Sequence, residues 1–67
     1  MTETVTDIAE FELPYRRRAM IRRVEFEGGM HLVRLVLREG NRITQVDLDS
    51  DSGAALGEAL ATAARDL

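Results

Sequence analysis

Apolar and polar residues alternate through much of the chain, and the alternation is interrupted at Gly28-Gly29 and at Gly40-Asn41. Both pairs tolerate positive φ, as the favoured two-residue hairpin loops require. A two-residue loop sets the register of its flanking strands. Around Gly28-Gly29 it pairs Glu27 with Met30, Phe26 with His31, Val24 with Val33, Arg23 with Arg34 and Arg22 with Leu35. Around Gly40-Asn41 it pairs Glu39 with Arg42, Leu37 with Thr44, Leu35 with Val46, Arg34 with Asp47 and Val33 with Leu48. Side chains alternate between faces along a strand. The two registers therefore predict one apolar face of Val24, Phe26, Val33, Leu35, Leu37, Val46 and Leu48. A slip of one residue in either hairpin destroys that agreement.

The opposite face is mixed. Arg23, Glu25, Arg34, Arg38, Gln45 and Asp47 share it with Ile21, Leu32, Val36 and Ile43. Four aliphatics among these charges imply partial cover by another subunit or by the N-terminal segment. Upstream, Phe11, Leu13 and Tyr15 alternate with Glu10, Glu12 and Pro14, which reads as an edge strand because Pro14 cannot donate to a ladder. A shift of apolar phase between Ala19 and Val24 predicts a bulge near Ile21–Arg23. Downstream, Leu56, Leu60, Ala63 and Leu67 form a helical stripe in an alanine-rich stretch, with Ser50, Asp51 and Ser52 as N-cap candidates. The expected fold class is α+β. A four-stranded antiparallel meander spans about 8–15, 18–27, 30–39 and 42–49, with one C-terminal helix over about 52–66 packed on one sheet face. The chain, 1–67, is one domain, and residues 1–6 are expected to be flexible.

Composition changes this picture in one respect. A 67-residue chain has little core to stabilise it. With no Cys and one His it has neither disulfides nor a Cys-type zinc site, which leaves oligomerisation as the remaining staple. The first residues have no basic n-region or apolar h-region, and no apolar run approaches the ~18 residues of a membrane span. A soluble cytoplasmic protein with no membrane contact is expected. The absence of lysine excludes Schiff-base chemistry and a Walker A lysine. His31 sits beside Phe26 in the inferred register with no nucleophile near it. Neither an enzyme nor a cofactor site is expected.

Charge is segregated within a net of −3. Glu3, Asp7, Glu10 and Glu12 precede a basic block of Arg16, Arg17, Arg18, Arg22 and Arg23, and Asp47, Asp49 and Asp51 follow the sheet. A dense block of like charge needs a partner or open solvent. The arginines can pair with Glu10, Glu12, Glu25 and Asp47 of the same chain. Alternatively, Arg16, Arg17, Arg18, Arg23 and Arg34 with Tyr15 can hold single-stranded nucleic acid. A pI near 5.0 and only three aromatic residues count against a dedicated nucleic-acid binder. Asp47, Asp49, Asp51 and Glu58 fall at positions one, three, five and twelve of an EF-hand-type calcium loop. Gly53 comes one place late for that loop, and the preceding element is a strand.

Four antiparallel strands followed by one helix resemble the PC4-type transcriptional coactivator domain, by topology over roughly residues 9–67. That resemblance implies a homodimer and single-stranded DNA binding on a curved sheet. The lysine- and aromatic-bearing motifs of that family have no counterpart here, so it assigns no binding residue. The stretch from Leu13-Pro-Tyr-Arg16 to Leu48-Asp49 also resembles small uncharacterised bacterial proteins. The function expected is that of an accessory or interaction protein acting by binding, with itself or another protein as partner. Its expected contact surface is Ile21, Leu32, Val36 and Ile43 with Arg16, Arg17, Arg18, Arg23, Arg34 and Arg38.

Overall fold

The computed structural model describes residues 2–67; residue 1, part of the stretch expected to be flexible, lies outside the described residues. The chain forms β1 (Glu3–Leu13), β2 (Arg17–Phe26), β3 (His31–Glu39), β4 (Arg42–Leu48) and α1 (Ser50–Arg65). The strands make one antiparallel sheet in the order β1-β2-β3-β4. This is the α+β meander with a C-terminal helix that the alternation predicts. β1 begins five residues earlier than expected, because Thr4, Val5 and Thr6 favour extended backbone and find partners in the far half of β2.

The β3–β4 register is the predicted one, with Gly40 at φ 59° in the first loop position, as a type II′ turn prefers. The β2–β3 register is not. The loop there has three residues, Glu27-Gly28-Gly29, closed by Phe26 N donating to Met30 O at 2.8 Å and Gly29 N donating to Phe26 O at 3.1 Å. Val24 consequently pairs with Leu32, Arg22 with Arg34 and Glu25 with His31. That single step turns the whole of β2 over. Val24 and Phe26 leave the expected apolar face, and Ile21, Arg23 and Glu25 leave the mixed one. The step moves Arg22 from opposite Leu35 to opposite Arg34, brings Ile21 opposite Leu35 and sets Arg23 opposite Val33. His31 follows the same shift and is exposed opposite Glu25, not packed beside Phe26.

The expected bulge also moves. β2 is regular, and the extra residue is Ile8 in β1, between the pairs Asp7–Arg22 and Ala9–Ile21. The phase shift seen in β2 is thus absorbed by its partner strand. Four rows cross the first face: Leu13–Arg17–Glu39–Arg42, Phe11–Ala19–Leu37–Thr44, Ala9–Ile21–Leu35–Val46 and Thr6–Arg23–Val33–Leu48. The second face carries Glu12–Arg18–Arg38–Ile43, Glu10–Met20–Val36–Gln45, Asp7–Arg22–Arg34–Asp47 and Val5–Val24–Leu32.

The helix starts at Asp49, whose side chain accepts from Ser52 N at 2.7 Å. The N-cap is therefore this residue, not Ser50, Asp51 or Ser52, and the helix begins two residues earlier than predicted. Its first turn meets the first face, where a Cβ on Gly53 would lie 3.7 Å from Val33 Cγ2. Beyond that turn the helix stays exposed. It touches β3 and β4 but leaves β1 and β2 uncovered. The result is a flat body of 41 × 29 × 15 Å. Among the described residues only Ala19, Val24 and Val36 are buried.

Candidate functional site

The first face is a broad apolar surface. Phe11, Ala19, Ile21, Leu35, Leu37 and Val46 adjoin one another in its two middle rows, and charged residues stand only in the outer rows. Phe11 is 51% exposed, Val46 43% and Leu60 of the helix stripe 63%. The helix was expected to cover this face. It does so only over β3 and β4, with its first turn near Val33, and leaves β1 and β2 bare.

The second face closes over itself. Arg34 donates from Nε and Nη2 to Asp47 Oδ1 and Oδ2 at 2.8 and 3.2 Å, and its Nη1 lies 3.9 Å from Glu3. Next to it, Arg22 Nε stands 3.0 Å from Asp7 Oδ1, though its N–H is not aimed at that oxygen. The row Asp7–Arg22–Arg34–Asp47 therefore places two arginines on the central strands between two acids on the outer ones. Arginine stems can cover aliphatic surface, and Val24 and Val36, in the rows on either side of this one, are buried. The hydrogen bond from Arg34 holds the Asp47 carboxyl below the usual carboxylate range and raises the Arg34 guanidinium. Asp49 is likewise lowered, by the hydrogen bond from the Ser52 backbone N–H.

The ten residues expected to form one contact surface are thus divided. Arg17, Ile21 and Arg23 lie on the first face, while Arg18, Leu32, Arg34, Val36, Arg38 and Ile43 lie on the second. Arg16 is in the β1–β2 loop. Of the second-face aliphatics, Val36 is buried and Ile43 is 62% exposed. The structure does gather Arg16, Arg17, Arg18 and Arg38 at one end of the sheet, where they line an open cleft of about 540 Å³ with Glu12, Leu13 and Gly40. Arg17 meets Glu39 at 2.8 Å, and Arg18 meets Glu10 and Glu12 at 3.4 and 3.5 Å. Glu39, expected to serve Arg42 across the strand pair, serves Arg17 instead.

The four carboxylates of the calcium pattern are separately engaged or separated. Asp47 holds Arg34, Asp49 caps the helix, Asp51 sits in the first helical turn and Glu58 lies further along the helix. Among the described residues no three His, Asp or Glu side chains group as a metal site, and no helix is long and apolar enough to cross a membrane.

Sequence reasoning missed two elements of this geometry. Phe11 and Leu13 show their alternation plainly, but their place on the open face depends on the bulge at Ile8, which carries no composition signal. Tyr15 and Arg16 both hold left-handed backbone, at φ 65° and 62°, in a position where glycine would be the expected marker.

No curated protein and no solved structure matches the chain. The likeness to the PC4-type domain accordingly extends to four antiparallel strands and one helix and no further. A protein-family model does match, and it covers residues 2–66, almost the whole sheet-and-helix unit just described. The chain belongs to that family, a family of unknown function designated DUF6967.

Proposed function

We propose that this protein is an accessory protein that acts by binding, not by catalysis, and that its working form is a homodimer joined through the open face of Phe11, Ile21, Leu35 and Leu37. The observation that carries this reading is the surface area. A compact monomer of 7.5 kDa exposes about 4,200 Å² by the area–mass scaling of folded chains. This chain exposes 5644 Å², which leaves an excess of about 1,400 Å² against the roughly 800 Å² that each partner contributes to a standard interface. The middle rows of the first face, with Phe11 and Val46 exposed, offer apolar surface for such an interface. The second face is a poorer interface, because charged residues stand in three of its four rows.

A binding role also suits the shape. A body 15 Å through leaves even the cleft at the sheet end open to water. Sedimentation equilibrium between micromolar and submillimolar protein tests the reading. A mass near 15 kDa, twice that of the chain, is expected. A mass of 7.5 kDa throughout, with the sheet still folded by circular dichroism, refutes it.

A further inference from the structure

The chain builds the same kind of loop twice and fills it differently. Pro14-Tyr15-Arg16 joins β1 to β2, and Glu27-Gly28-Gly29 joins β2 to β3. Each has three residues, with positive φ at the second and third. In the second loop both positions are glycine, which adopts this backbone freely. In the first they are Tyr15 at 65° and Arg16 at 62°. Left-handed backbone is strained for such side chains. No turn geometry demands a tyrosine or an arginine there, and both side chains are placed at the end of the sheet.

What the two side chains build is a basic end. Arg16 and Arg38 meet no carboxylate among the described residues, and Arg38 Nε donates to Gly40 O at 3.3 Å. Arg17 lies over the Tyr15 ring, 5.6 Å from its centroid, and Tyr15 is 87% exposed. With Arg42, this end holds five arginines against Glu10, Glu12 and Glu39, a net of +2 in a chain whose total is −3. The cleft of about 540 Å³ between the loop and Arg38 has the size of a small-ligand site.

We infer that this end of the sheet is an anion site for the phosphate groups of a small ligand, with Arg16 and Arg38 as the principal donors and Tyr15 as a platform beside them. Guanidinium groups in a fixed fork suit phosphate oxygens. A small ligand fits better than a long polyanion, because a strand leaving the cleft along the second face meets Glu12, Glu10 and Asp7 on β1 or Asp47 on β4. The inference is independent of the dimer, since the positions it uses are at the sheet end and not in the apolar rows.

Tyr15 is the only tyrosine, and the chain has no tryptophan, so intrinsic fluorescence reports on the β1–β2 loop, where Arg17 of the cleft lies over the ring. The test is titration of the full-length protein with pyrophosphate at a constant ionic strength of about 0.15 M, where charges are screened beyond about 8 Å. A saturable fluorescence change with a dissociation constant below about 1 mM is expected. Arg38→Gln is expected to weaken it at least about tenfold, the loss of one charge-assisted phosphate contact. Arg16→Gly is expected to weaken it as much and also to raise the melting temperature, because glycine relieves the strain. Arg65→Gln, in the last turn of the helix, is expected to change neither. Absence of saturation in the parent, or an undiminished response in Arg16→Gly and Arg38→Gln, overturns the site. A lowered melting temperature in Arg16→Gly overturns the argument from strain. A single-stranded 20-mer that binds far more tightly than pyrophosphate and loses affinity steeply with salt would replace the small ligand with a nucleic acid.

Discussion

Replacing Phe11 with aspartate would separate the two copies of the proposed dimer. Phe11 lies in β1 at the edge of the open face and is 51% exposed in the single chain. A phenylalanine presents about 200 Å² of side chain, so roughly 100 Å² per copy is left for a partner to cover. At about 25 cal/mol per Å² that is about 2.5 kcal/mol per copy. A two-fold interface contains the residue twice, for about 5 kcal/mol in the dimer. At 1.4 kcal/mol per decade, the dissociation constant rises by more than about three decades. Burying a carboxylate adds to this, so the figure is a lower bound. The matched control is Ile43→Asp. Ile43 is 62% exposed on the opposite face, and its replacement leaves the dimer in place. Sedimentation equilibrium reads the mass of each variant, whether the released monomer stays folded or unfolds. A Phe11→Asp protein that remains dimeric, or an Ile43→Asp protein that dissociates, refutes the assignment of the interface to the first face.

Three further outcomes follow from the same geometry. Val24 is fully buried beneath the second-face side chains, so Val24→Ala costs about 2 kcal/mol from two lost methyl groups and the space they leave, read from the urea midpoint at fixed protein concentration. At Gly28, φ is 99° and nothing lies within 4 Å of an added Cβ; Gly28→Ala therefore costs about 1–2 kcal/mol through backbone strain alone, again by urea unfolding. Asp47 and Asp49 titrate lower in the fold than in the unfolded chain. Their contribution to stability is complete above the unfolded carboxylate value near 4 and fades as pH falls through their lower folded values. Thermal melts taken between neutral and acid pH check this, and Asp47→Asn flattens the acid limb. Arg34 is raised and stays charged across that range, so it adds no slope there.

The self-closure of the second face bears on how so small a chain stays folded. Acids on β1 and β4 flank arginines on β2 and β3 in one row of that face. The middle rows of the first face hold no charged residue.

By itself the sequence determined the elements and one of the registers. Period-two alternation marks the strands, the alanine-rich leucine stripe marks the helix, and Gly40-Asn41 sets β3 against β4, including the Arg34–Asp47 pair. These features are local, and each depends on residues close together in the chain. Which face each residue of β2 occupies was decided only in the folded sheet. Gly28-Gly29 is compatible with a loop of two residues or of three, and the local sequence does not distinguish them. The bulge at Ile8 and the short reach of the helix over β3 and β4 are likewise settled by packing between distant segments. The basic end was half legible. The run Arg16-Arg17-Arg18 is plain in the sequence, but Arg38 joins it only through the pairing of β2 with β3, and the left-handed backbone at Tyr15 and Arg16 has no glycine to announce it.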